Sequence, residues 1–143
     1  MKEISGDLFE NPKQFDVIVH GCNCFSTMGA GVAKIIKENY PLAFQVDKNS
    51  KLTPKDKLGK ITHTTGLTIP IIINAYTQFQ WKGKYNVDYE AIRSCMKLIK
   101  KQFSGKKIGM PKIGAGLAGG DWNIIKSIIN EELVDENVIV VIK

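Results

Sequence analysis

Residues Phe15–Tyr40 read FDVIVHGCNCFSTMGAGVAKIIKENY. The apolar run around Val17, Ile18 and Val19 predicts a strand over 15–20 buried on both faces. It breaks into His20, Cys22, Asn23 and Cys24, and Gly29-Ala30-Gly31 then opens a helix expected to run to Tyr40. Val32, Ile35 and Ile36 share one face of that helix, and Pro41 starts a new turn or short helix. Strand, glycine turn and helix make the building unit of an open α/β sheet, which holds ligands beyond the carboxyl ends of its strands.

The same alternation extends outward in both directions. Residues 2–4 predict a short edge strand, and residues 59–65 and 69–75 predict a hairpin turning at Gly66. KLTPKDKLGK, residues 51–60, has the composition of a loop. A long helix is expected over 86–102, with Ala91, Cys95, Leu98, Ile99 and Gln102 at helical spacing and Gly105 as its stop. A buried strand over 106–110, a glycine-rich loop over 113–120, a helix over 122–133 and the closing strand NVIVVIK complete the chain. No repeat, linker or low-complexity stretch divides it, so residues 1–143 are expected to form one domain.

Composition narrows the function. The net charge is +6, yet 19 of the 20 basic residues are lysine and only Arg93 is arginine. Arginine supplies the bidentate contacts of most base and phosphate readers, so a general preference for small anions fits better than nucleic-acid reading. The odd set of Cys22, Cys24 and Cys95, with no apolar leader or membrane-length run, points to free thiols in the cytoplasm and no membrane partner. His20, Cys22 and Cys24 alternate to one side of a strand, where three neighbouring ligands cannot close a tetrahedron, so no metal is expected. No cofactor is expected either.

Two loops carry the chemistry: HGCNCFSTMGAG after the strand over 15–20, and PKIGAGLAGGDW after the strand over 106–110. Glycines let backbone N–H groups approach a ligand, and helix N-termini add partial positive charge, so together the loops form a phosphate cradle. The second loop lacks the Gly-Lys-Ser/Thr of a nucleoside-triphosphate loop and the G-x-G-x-x-G of a dinucleotide site.

Three ordered motifs carry a further resemblance: GDLF at Gly6–Phe9, VIVHGCNC with MGAGVA over 17–33, and MPKIGAGLAGGDW over 110–122. Through them the chain resembles the macro domain family. The likeness is to the small branch that includes yeast ADP-ribose 1''-phosphate phosphatase and the human terminal ADP-ribose–protein glutamate hydrolase. The resemblance implies a three-layer α/β/α sandwich with a mixed central sheet of about six strands that binds ADP-ribose. It implies that Asp7 accepts from the adenine amine with Leu8 beside it, and that Asn23 meets the distal ribose. Gly29, Ala30, Gly31 and Val32 would wrap that ribose. Ile113, Gly114, Ala115, Gly116, Leu117, Ala118 and Gly119 would close over the diphosphate.

His20 matches a histidine linked to catalysis in the yeast phosphatase, as acid or base, and is the first candidate for chemistry. Its plainer role is a hydrogen bond between sheet and helix. Asp121 is expected to cap the last helix, with a second possible role in orienting water or His20. The glutamate hydrolase uses a lysine and an aspartate where Thr77 and Ala118 stand here, and no aromatic near the carboxyl end matches the one that stacks on adenine. Tyr76, Phe79 and Trp81 either line the pocket rim or anchor a loop, while Lys82 and Lys84 either attract an anion or form a solvated face. The favoured activity is therefore a phosphatase converting ADP-ribose 1''-phosphate to ADP-ribose and phosphate. Removal of ADP-ribose from ADP-ribosylated protein or nucleic acid, and a reader without turnover, are the alternatives.

Overall fold

A computed structural model of the chain describes residues 1–66 and 69–143. Six strands form one sheet: β1 (Lys2–Ser5), β2 (Val17–Cys22), β3 (Ile61–His63), β4 (Ile71–Tyr76), β5 (Lys107–Met110) and β6 (Asn137–Ile142). Their order is β1-β6-β5-β2-β4-β3, parallel throughout except for β3, which runs antiparallel to β4. The sheet is mixed, as expected. The turn expected between β3 and β4 includes residues 67 and 68, which lie outside the described residues.

Alternation along the strands creates three layers. Val17, Val19, Ile73, Ile108, Met110, Val138 and Val140 face one side and pack against α4 (Tyr89–Phe103) and α5 (Trp122–Glu132). Ile92, Cys95, Met96, Ile99 and Phe103 recur at three- and four-residue steps along α4, so one stripe of that helix meets the sheet. Ile18, Ile72 and Val141 face the other side, against Ile36 of α1 (Gly31–Asn39) and Ala43 of α2 (Pro41–Lys48). The stretch expected as a loop over 51–60 contains a short helix, α3 (Pro54–Lys57), which Thr53 caps by accepting from the Asp56 amide. No helix among the described residues is long and apolar enough to cross a membrane.

The position of the site follows from one register. β2 pairs with β4 along its whole length, from Val17 opposite Ile71 to Cys22 opposite Tyr76. With β5 it pairs only at Val17 opposite Ile108 and Ile18 opposite Gly109. Beyond that point β2 and β5 separate, and the loops that follow them run to opposite walls of a crevice. This is where connections leave the sheet in opposite directions, the place at which open α/β sheets hold ligands.

Phe15 braces the closed end of this ladder. It is 1% exposed, and a Cβ placed on Gly109 would lie 2.7 Å from its ring. Gly109→Ala is therefore expected to destabilise the fold by about 1–3 kcal/mol through overpacking. A urea midpoint equal to the parent's would contradict this packing account.

Candidate functional site

A cavity of about 590 Å³ opens between the two loops, with Pro111–Gly114 and Gly116–Ala118 on one wall and Gly21–Asn23 and Thr27–Ala33 on the other. Within the second glycine loop, Ala115 N–H donates to the Lys112 carbonyl, Gly119 N–H to Gly116 and Gly120 N–H to Gly114. Among the described residues, the N–H groups of Gly114, Gly116, Leu117 and Ala118 have no acceptor. The opposite wall ends in the N-terminus of α1, where Ala30 provides no side-chain cap. The first backbone bond there is Lys34 N–H to the Ala30 carbonyl, leaving the N–H groups of Gly31, Val32 and Ala33 without acceptors among the described residues. Unpaired amides on both walls and the positive end of a helix dipole suit an anion. The loops over 22–30, 78–87 and 111–120 contain Lys82, Lys84 and Lys112 and no acidic residue.

A buried polar lock holds the first loop. Lys57 Nζ donates to Asp47 Oδ1 at 2.9 Å, to the Asp47 carbonyl at 3.1 Å and to Ser26 Oγ at 3.0 Å. Ser26 Oγ and the Tyr76 hydroxyl also donate to Asp47 Oδ1, at 3.0 and 2.7 Å. Ser26 and Met28 adopt left-handed φ values of 55° and 39°, which turn the chain toward α1. Asn23 closes the loop locally, accepting from Phe25 N–H at 2.8 Å and donating to Thr27 Oγ1 at 2.7 Å. The second loop is held by Asn86 N–H donating to the Ala118 carbonyl, with Gly119 abutting the Lys84 carbonyl.

The macro domain family profile matches residues 19–129, from β2 into α5. This chain belongs to the macro domain family. It is 36% identical over 144 residues to an uncharacterized 17.5 kDa protein of the tk-vs intergenic region of enterobacteria phage T4, covering 91% of this chain and 88% of that protein. It is 25% identical over 166 residues to the ADP-ribose 1''-phosphate phosphatase of Debaryomyces hansenii, covering 92% and 93% of the two chains. A solved structure of a Bacteroides thetaiotaomicron protein of unknown function superposes with a TM-score of 0.79 at 27% identity, covering 99% and 97%.

In this macro domain the cavity gathers most of the expected binding residues. Asn23 and Gly29–Val32 line one wall; Ile113, Gly114, Gly116, Leu117 and Ala118 line the other. Ala115 and Gly119 belong to the second loop but are not part of the cavity lining; Ala115 packs against the core and Gly119 against Lys84. Asp7 and Leu8 lie outside it as well. Leu8 is buried against Phe15, Ile18 and Ile36, while Asp7 accepts from Phe9 N–H at 2.9 Å and from Lys143 at 3.3 Å. Those two contacts, the Phe9 amide foremost, hold the Asp7 carboxyl below its ordinary range.

The two residues expected to do chemistry are elsewhere. β2 continues through Cys22, so His20 sits one alternation beneath the rim, 0% exposed and absent from the cavity lining. Its Nε2 meets Asn74 Oδ1 at 2.7 Å and lies 3.5 Å from Sγ of Cys22, which lines the cavity. Burial pushes its pKa down to about 4, against the opposing influence of Asn74 and Asp47. The structure thus places His20 beneath the cavity lining, not at the rim where the sequence put it. Asp121 is exposed and caps α5 by accepting from Asn123 N–H at 2.9 Å, also outside the cavity. Burial raises the pKa of the Cys22 thiol, which disfavours a thiolate nucleophile.

Of the three aromatic residues singled out at and beyond the end of β4, Trp81 lines the cavity, Phe79 packs edge-on against Phe25 at 5.0 Å, and Tyr76 is fully buried. Asp47 and Lys57 escaped the sequence reading, because a lone acid on α2 and a lysine in a polar stretch look solvated. The one available signal was Thr53-Pro54 with Asp56, a helix start inside the supposed loop.

The depressed pKa of His20 fixes a sign. Above pH 6.5 the ring is neutral in both folded and unfolded chains, and its full contribution is present. Between 6.5 and about 4 the unfolded chain takes up a proton that the folded chain refuses, so stability falls with falling pH. The steepest slope is about 1.4 kcal/mol per pH unit. Urea unfolding across this window should show that slope in the parent and lose it in His20→Gln; parallel curves would refute the buried neutral assignment.

Proposed function

We propose that this macro domain binds ADP-ribose-type ligands and hydrolyses ADP-ribose 1''-phosphate to ADP-ribose and phosphate. The observation that carries the binding is the set of unpaired N–H groups on facing walls, which suits a diphosphate and is surrounded by lysines. The D. hansenii relative, matched over 92% of this chain, supports the choice of substrate.

In the proposed complex the diphosphate lies between the Gly114–Ala118 amides and the α1 N-terminus. The distal ribose lies over Asn23 and Cys22, with the terminal phosphate beyond it. Water adds its oxygen to that phosphorus, the bond from phosphorus to the sugar oxygen breaks, and a proton from the water ends on the released sugar hydroxyl. Asp47 is the cavity carboxylate, and Lys57 already neutralises it. Catalysis then rests on positioning and on stabilising charge at the leaving oxygen, which a loose phosphoryl transition state chiefly requires. Trp81 at the rim favours a second reading, removal of ADP-ribose from a larger planar or macromolecular group.

Calorimetric titration should show ADP-ribose binding at least roughly tenfold tighter than AMP, which lacks the second phosphate and distal ribose. ADP-ribose 1''-phosphate, ADP-ribosylated protein and ADP-ribosylated DNA should be offered in parallel. Inorganic phosphate released from the first alone is the expected outcome. Product from either of the others alone would replace the phosphatase reading, and binding without any product would leave a reader.

A further inference from the structure

The loop over 78–87 reads QFQWKGKYNV, and its polarity is inverted. Gln78 Nε2 donates to the Gln80 carbonyl at 2.9 Å. Gln80 accepts from Lys82 N–H at 2.6 Å through Oε1 and donates to Asn86 Oδ1 at 2.6 Å. An antiparallel bridge between Gln78 and Val87 closes the loop. Cys24 N–H donates to the Phe79 carbonyl at 3.0 Å, which fastens it to the first glycine loop. The amide side chains are thus bonded within the loop, and the rings stand outside it. Phe79, Trp81 and Tyr85 are 42%, 48% and 83% exposed, and Phe25 of the neighbouring loop is 42% exposed. Phe25 meets Phe79 and Trp81 edge-on at 5.0 and 5.9 Å, contacts that order the three rings and leave nearly half of each in water. Grouped apolar side chains held in water on a folded domain mark a place of contact.

The chemistry of the patch selects its occupant. Between Gln78 and Asn86 the loop holds rings and lysines and no aliphatic residue. Lys82 and Lys84 are exposed and join no ion pair among the described residues. Lys82 Nζ lies 5.8 Å from the centroid of the Trp81 ring. No acidic residue in the loops over 22–30, 78–87 and 111–120 answers these charges. A partner matched to this surface carries flat π faces along a negative chain. An aliphatic protein surface lacks the charge, and an acidic peptide lacks the faces. A nucleic-acid strand with unpaired bases supplies both, whereas a duplex keeps its bases stacked inside. Stacking tolerates any sequence and needs no arginine, so the lone Arg93 that counts against base reading does not count against it. We infer that Phe25, Phe79 and Trp81, with Lys82 and Lys84, form a stacking platform for single-stranded nucleic acid. The platform adjoins the cavity, which Trp81 also lines, but it does not depend on which ligand the cavity takes.

The test is a fluorescence titration of the Trp122→Phe chain, in which Trp81 is the remaining indole, with single-stranded DNA and RNA of about ten nucleotides. Saturable quenching of Trp81 is expected, and the two arms show which sugar the platform prefers. A strand of the same length with abasic sites in place of its bases should bind at least roughly fivefold more weakly. Phe79→Ala in the same background, checked for folding by circular dichroism, should weaken binding of the intact strand roughly 5- to 150-fold, the effect of losing one stacked base. Replacing Lys82 and Lys84 by glutamine should flatten the fall of log K with log salt by about 0.7 for each phosphate contact removed. Equal binding of the abasic and intact strands would reduce the surface to lysine electrostatics and overturn the platform. Absence of binding by either intact strand would overturn it as well, and self-association in sedimentation would then assign the rings to a second copy of the chain. Either result leaves the ADP-ribose reading standing, because the titration contains no ADP-ribose.

Discussion

The ion pair between Asp47 and Lys57 is the interaction on which the shape of the site depends. Its side chains are 1% and 5% exposed. A buried pair seldom stabilises a fold more than apolar residues of the same volume, because both charges lose their water. What this pair supplies is direction. The three donor contacts of Lys57 end on the Asp47 carboxylate, the Asp47 carbonyl and Ser26, and Tyr76 adds a bond from β4. α2, α3, β4 and the first glycine loop are thereby tied at one point, and that loop delivers the N-terminus of α1 to the cavity wall.

The sheet supplies the other half of the design. β2 and β5 share only two paired positions before they separate, so their following loops face each other across the gap. Neither loop satisfies all of its own amides. Such donors weaken the empty fold slightly and become useful when an anion takes them, so ligand binding and loop order are thermodynamically linked. Trp81 lines the cavity, and its ring packs edge-on against Phe25 with centroids 5.9 Å apart.

The sequence disclosed the architecture because buried strands and amphipathic helices leave local patterns. Val17–Val19, Ile71–Ile73 and Val138–Val141 could only be strands inside a sheet, and the stripe from Ala91 to Ile99 could only be a helix lying on one. The glycine loops were legible for a similar reason, since their residue types are unusual wherever they occur. His20 was misplaced by a register effect. Ending the strand at His20 puts its ring at the rim, whereas the observed strand ends at Cys22 and lowers the ring into the sheet–helix layer. Asp47 and Lys57 were illegible as site residues, because their importance comes from contacts 10 to 31 residues apart in sequence.

The central claim is that unpaired amides on two facing loops hold the ligand's phosphates. Residue-resolved amide hydrogen exchange, measured with and without saturating ADP-ribose, addresses it directly. The account predicts slowed exchange at Gly114, Gly116, Leu117 and Ala118 on one wall and at Gly31, Val32 and Ala33 on the other. Binding that leaves both sets unchanged, with protection confined to other parts of the chain, would contradict it.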